Sequence, residues 1–225
     1  MNNSIRLTPS ERQHLFTQLE TSYKSAVDEN IFSRLEETLE KAFTEYRRLS
    51  LIRLDLRFAN GEPNQDMPTC FQQTDRHVIT RFIASLKSQL DEQARRKRQN
   101  GVRVYPCRIR YLWVLEQDEA LLPHYHLILM LNKDAHAFLG QVQRSQSTGL
   151  IRIIQEAWCR ALSLSHDDYS TLVHVPDNAL IHLTREDALD RTSRHQAWLH
   201  RAGYLAKQET KCIGQARRCF GASQG

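Results

Sequence analysis

The sequence predicts an α+β fold: an antiparallel sheet covered by helices on one face, with a helical extension ahead of it. Three observations carry this. Arg108 to Glu116 (RIRYLWVLE) and His124 to Asn132 (HYHLILMLN) are rich in branched and aromatic residues and joined only by Gln117 to Pro123, as two strands of a hairpin are. From Leu51 onward the periodicities run strand, helix, strand, strand, helix, strand and a further helix. No internal repeat or low-complexity stretch interrupts that order.

The elements follow in turn. Thr8-Pro9-Ser10-Glu11 combines a capping residue, a first-turn proline and a capping-box glutamate, so a helix starts there, with Leu15, Phe16 and Leu19 on one face. Asn30 to Arg48 places Ile31, Leu35, Leu39, Ala42 and Phe43 on one helical face. Leu51 to Phe58 alternates apolar with charged residues, the pattern of a half-buried strand, and Asn60 to Asn64 ends it in a loop. Thr74 or Asp75 opens a long helix through Val78, Phe82, Ile83, Leu86 and Leu90, closed by a basic run and Asn100-Gly101. After the hairpin, Gly149 to Leu162 reads as a helix, Thr171 to Val175 and Ala179 to Leu183 as strands around Pro176-Asp177-Asn178, and Ser193 to Gln208 as the last helix.

Length and charge narrow the classes. At 225 residues the chain can bury a core without covalent staples. Its net charge of +5 is concentrated. Arg95, Arg96, Lys97, Arg98 and Arg103 form one group, and Arg191, Arg194, Arg201, Lys207, Lys211, Arg217 and Arg218 another. Such clusters suit a phosphate backbone, while the plainer reading is a solvated helix end. The five cysteines, Cys70, Cys107, Cys159, Cys212 and Cys219, include no CxxC pair and are odd in number. That argues against a zinc ribbon or disulfide framework and for a reducing, cytoplasmic setting. The N-terminus lacks an apolar signal segment and no run reaches membrane-span length, so no membrane partner is expected.

The chemistry gathers at two places. His124 and His126 lie at i and i+2 of a strand and project to the same side, where two imidazoles can chelate one ion. Glu116 closes the preceding strand, and antiparallel pairing brings it beside them. Two imidazoles and a carboxylate suit Mn²⁺, Mg²⁺, Zn²⁺ or Fe²⁺. The plainer reading is a pair of surface histidines beside an exposed strand-end acid. In the last helix Trp198, Ala202 and Leu205 share the inward stripe, and Tyr204 sits off it among His200, Arg201, Lys207 and Lys211. Neighbouring cations can lower a phenol's pKa and hold phosphate oxygens. Otherwise Tyr204 is a packed ring with an exposed hydroxyl.

Glu116, then His124-Tyr125-His126, then Tyr204-Leu205-Ala206-Lys207 together resemble the HUH family of single-strand endonucleases, which pair two histidines with a YxxK helix. RHVITRFIASLK, RYLWVLEQD, HYHLILMLNKDAH, YLAK and RRCFG are similar to the YagK/YfjJ-type, or inovirus-type, prophage replication proteins over about residues 50 to 221, leaving out the first 48. The resemblance implies an RRM-like sheet and divides the chain into a helical extension (1–48), an HUH endonuclease-like catalytic domain (49–212) and a basic tail (213–225). It implies a rolling-circle replication initiator that nicks and rejoins single-stranded DNA through a 5′-phosphotyrosine. Tyr204 would be the nucleophile, Lys207 its charge partner, and Glu116, His124 and His126 the ligands of Mg²⁺ or Mn²⁺. Arg201, Lys211, Arg217 and Arg218 would contact DNA. The expected partners are single-stranded DNA of phage or plasmid origin and host replication proteins. RLDLRFAN, with Asn60 at its end, occupies the place of the family's early strand motif. Three rivals stay open. One is a non-catalytic RRM-like binding module stacking bases on Tyr111, Trp113 and Tyr125. Another is a small-substrate hydrolase or oxygenase with the same ligands, and the third an interaction protein with a decayed site. Cleavage of a single strand separates the first from an endonuclease.

Overall fold

Thr8 starts the first helix through the capping box: its hydroxyl accepts from the Glu11 amide, and the Glu11 carboxylate accepts from the Thr8 amide at 2.7 Å. A computed structural model describes residues 4–59, 71–117, 123–143, 146–208 and 218–224. Asn60 and the loop after it, Cys70, Lys211, Cys212 and Arg217 lie outside the described residues. Helix α1 (Pro9–Tyr23) is followed by α2 (Glu29–Glu45), capped by the Asp28 carboxylate, and then by β1 (Arg48–Leu56). The long α3 (Val78–Gln99) begins after a turn in which the Asp75 carboxylate accepts from the His77 amide at 2.8 Å, a few residues later than the sequence indicates. It ends with Arg96, Lys97 and Arg98 in its last turn and Gly101 at φ 72°, a left-handed conformation open to glycine.

The hairpin forms as expected from β2 (Arg110–Glu116) and β3 (His124–Asn132). Helix α4 (Gly149–Leu162), the short α5 (His166–Tyr169), β4 (Val173–His174), β5 (Leu180–Thr184) and the short α6 (Arg185–Leu189) follow. Helix α7 (Ser193–Gly203) stops earlier than its periodicity implies: Tyr204–Ala206 tightens into a 3₁₀ turn and Lys207 is extended. The last strand, β6 (Phe220–Ala222), is too short for alternation to reveal. Among the described residues there are thus seven α-helices and one open, six-stranded antiparallel sheet. Its order is β4-β1-β3-β2-β6, with β5 also paired to β1.

Helices cover both faces of this sheet, not one. Ile52, Leu54, Leu56, Leu127 and Leu129 pack against Phe82 and Leu86 of α3 and Trp158 of α4. Leu49, Leu51, Leu112, Val114, Ile128 and Met130 pack against Phe16 of α1, Phe32 and Leu35 of α2, and Trp198 of α7. Each such aliphatic side chain contributes about 1.5–3 kcal/mol when fully buried. β1 is therefore buried along nearly its whole length, and the half-buried reading is corrected. Its charged alternates misled because Asp55 is buried against partners of opposite charge rather than facing water. Among the described residues no helix is long and apolar enough to cross a membrane.

Candidate metal and tyrosine site

Register places the first three groups. In β2–β3 pairing Glu116 stands opposite His124, and Val114 opposite His126, so all three ligand candidates share one sheet face. The two histidine Nε2 atoms lie 3.2 Å apart. Glu116 Oε2 is 3.7 Å from His124 Nε2 and in hydrogen-bond contact with His126 Nε2. One donor atom from each residue falls within 4.8 Å of the others, a span that bonds of about 2 Å to a common ion can bridge. Glu116 and His126 are 1% and 4% exposed, while His124 is only half-buried and opens the cluster to solvent. Neutral imidazole nitrogens that face each other and a buried carboxylate suit a shared cation. The residues fit a divalent ion, and Glu116, His124 and His126 could hold one.

A second ring of partners orients them. Asp55, opposite His126 in β1–β3 pairing, accepts from His126 Nδ1–H at 2.6 Å. Its other oxygen accepts from His174 Nδ1–H of β4 at 3.0 Å. A carboxylate on Nδ1 fixes the tautomer that leaves Nε2 toward Glu116, the arrangement common behind metal-bound histidines. Burial alone would raise the Glu116 carboxyl, but His126 and then Lys207 outweigh it and hold it down at about 2. Burial also raises Asp55, and His126 and His174 overcome it, leaving Asp55 well below the usual carboxylate range. His126 is depressed by burial and raised on balance by the two acids.

Tyr204, on the turn that ends α7, packs on the same face of the sheet as the ligands. Its ring meets the His126 ring edge-on, centroids 5.3 Å apart. Lys207 Nζ and Arg53 Cζ each lie 4.6 Å from the Tyr204 centroid. Lys207 also pairs with Glu116 Oε1 at 3.1 Å. Burial pushes the Lys207 ammonium down, but hydrogen bonds to Tyr204 and Glu116 leave it raised and charged. The connection between α1 and α2 fastens this turn: Val27 bridges Lys207, the Asp28 amide donates to the Ala206 carbonyl at 2.6 Å, and the Gln208 amide donates to the Ala26 carbonyl at 2.8 Å. Gly203 lies so close to α1 that a β-carbon there would meet Leu19 Cδ1 at 2.6 Å. Trp198, Ala202 and Leu205 are buried, as their stripe implies.

The remaining sequence candidates divide. Arg201 lies beside the tyrosine turn, where its Nη2 donates to the Asp177 carbonyl. Arg218 stands at the β6 edge, 5.9 Å from the ring of Trp113, which belongs to the core on the opposite sheet face. His200 turns its ring nitrogens to Ser22 and Tyr23 of α1, at 3.1 and 3.4 Å. Tyr125 and Trp113 are buried among the α3 and α4 residues, and Tyr111 is half-buried. Sequence reasoning missed Asp55, Arg53, His174 and Tyr23. The one legible signal was charge at Arg53 and Asp55 in a strand otherwise made of leucine and isoleucine.

The sheet and its buried carboxylate–histidine cluster define an α+β protein with a candidate divalent-metal centre next to a tyrosine. The chain belongs to the YagK/YfjJ C-terminal domain family, whose model matches residues 10–223 and so takes in both N-terminal helices, which the sequence resemblance left out. It is 35% identical over 192 residues to the protein described as uncharacterized protein YagK of Escherichia coli K12, covering 85% of this chain and 91% of that protein. It is 31% identical over 195 residues to uncharacterized protein YfjJ of the same strain, covering 85% of this chain and 92% of that one. No solved structure matches.

Proposed function

We propose that this protein is a site-specific single-strand DNA endonuclease and strand transferase of the HUH type, acting as a rolling-circle replication initiator. The observation that carries the reading is the edge-on contact of Tyr204 with His126, which puts a phenol, an ammonium and the ligand trio in one cluster. The strand order β4-β1-β3-β2, with α3 and α4 on one face, supports the RRM-like scaffold that the reading requires. Burial of Trp113 and Tyr125, with Tyr111 half-buried, weighs against the base-stacking rival. Single-stranded DNA of phage or plasmid origin is the substrate in this reading, and host replication proteins are further partners.

Glu116, His124 and His126 would hold Mg²⁺ or Mn²⁺, which supplies Lewis-acid polarisation of a phosphate oxygen when bound. The Tyr204 oxygen attacks phosphorus, an O–P bond forms, and the bond to the 3′ oxygen breaks. The phenol proton ends on the departing 3′-hydroxyl, and the 5′-phosphate stays on Tyr204. Lys207 offsets charge as it builds on the phenolic and phosphate oxygens. Attack of the free 3′-hydroxyl on the phosphotyrosine reverses the step and rejoins the strand. Asp55 keeps His126 Nε2 directed at the cluster.

The test is incubation with single-stranded DNA and Mn²⁺, read on a denaturing gel for a covalent protein–DNA band. The wild type forms the band, and Tyr204→Phe, which keeps the ring, loses it entirely. A band that survives in the Phe variant assigns the nucleophile elsewhere, and intact DNA with the wild type ends the endonuclease reading.

A further inference from the structure

Two arginines beside Tyr204 take no part in the ligand cluster. Arg53 lies on β1 one same-face step from Asp55, about 7 Å along the strand, and lays its guanidinium over the Tyr204 ring. Its ion pair with Asp55 is long, 4.0 Å, and both Asp55 oxygens already accept from His126 and His174. Arg201, on the last turn of α7, lines the same small cavity as Arg53, walled by Ala179, Ile181 and Trp198. Its guanidinium donates to a backbone carbonyl, that of Asp177, and it has no ion pair among the described residues. The Nε atoms of both arginines are buried without a hydrogen-bond partner among the described residues. Buried donors left open are costly, and two like charges lining one cavity add repulsion. Burial and then the charge of Arg53 push the Arg201 guanidinium down, the direction such crowding gives.

An anion with several acceptor oxygens, held outside the cavity because its volume of about 10 Å³ admits no more than a water, offsets the repulsion of the two charges, and the planar guanidinium fork matches phosphate geometry. We propose that Arg53 and Arg201 form a clamp for the phosphodiester adjoining the one that Tyr204 attacks, one from the sheet and one from the helix. The assignment to a phosphodiester rests on the endonuclease reading. The two phosphates are separate because Lys207 reaches toward Glu116, whereas Arg53 is displaced along β1 away from the ligands. The clamp fixes the register of the DNA strand across the tyrosine.

The experiment measures anisotropy of a labelled, mixed-sequence single-stranded oligonucleotide with the full chain in EDTA, which separates binding from cleavage, over a series of salt concentrations. Arg53→Gln and Arg201→Gln each weaken binding about tenfold and lower the slope of log affinity against log salt by about 0.7, the value for one released phosphate contact on a single strand. Arg160→Gln, an exposed arginine on α4, leaves both unchanged. Slopes equal to wild type in both glutamine variants, or no single-strand binding by the wild type, overturn the clamp. If circular dichroism shows a glutamine variant unfolded, the lysine variants decide. Arg→Lys keeps the slope and weakens binding at least threefold if the fork matters, and wild-type affinity overturns the proposal. A wild type that binds with the expected slope changes but forms no covalent band keeps the two arginines as contacts to strand phosphates and ends the nuclease reading. A covalent band with unaltered slopes does the reverse.

Discussion

Glu116, His124 and His126 ride on two strands joined by one short connection, whereas Tyr204 and Lys207 ride on a turn fastened to residues 26–28, far away along the chain. The first group is placed by register. Once β2 pairs with β3, the same-face rule aligns the ligands without help from the rest of the fold. The second group is placed by packing: α1 approaches Gly203 too closely for a side chain, and the α1–α2 connection pairs with the YLAK segment. The helical extension is therefore part of the site, because it sets where Tyr204 meets His126. A hairpin can supply a chelate, but aligning a nucleophile with it takes contacts from distant chain.

His126→Ala probes the ligand side and carries the largest effect. It removes hydrogen bonds to two buried carboxylates, each worth about 1.5–3 kcal/mol, leaving Asp55 to His174 and Glu116 to Lys207. A urea titration reads the loss directly, and stability within 1 kcal/mol of wild type, itself on the scale of about one ordinary hydrogen bond, contradicts the buried network. Gly203→Val probes the tyrosine side. Overpacking against Leu19 costs about 1–3 kcal/mol, and pairing it with Leu19→Ala recovers part of the loss in a double-mutant cycle. Mn²⁺ binding by calorimetry stays at the wild-type level while the covalent band weakens. Loss of metal binding in this variant would show that the two regions are not separately held.

The third effect lies in the acid dependence of α7. His195 is buried with neither ring nitrogen hydrogen-bonded among the described residues, and burial, then Arg191, lowers it from 6.5 to about 4. The unfolded chain binds this proton more readily, so the contribution to stability falls as pH drops from 6.5 toward 4. His195→Leu flattens that part of the pH profile of the urea midpoint. An unchanged slope places the acid sensitivity in other groups.

Strong periodicity was read correctly where it ran long: Gly149 to Leu162 and His124 to Asn132 have the observed bounds. The last helix was read too far, through Tyr204, because Leu205 continues the apolar stripe even though the backbone has already tightened. Asp55 looked like the polar side of a half-buried strand, since alternation records charge but not what covers it.

The amino-acid sequence by itself determined the hairpin, the shared face of Glu116, His124 and His126, and the inward stripe of Trp198, Ala202 and Leu205. Each follows from the two- or 3.6-residue periods of the backbone, which are local. The tertiary structure alone decided that the sheet is covered on both faces, that Asp55 stands behind His126, and that Tyr204 and Arg53 meet at the cluster. Those relations join residues far apart in the chain. They are fixed by which surfaces bury together and which buried charges find partners, and neither is written in any local period.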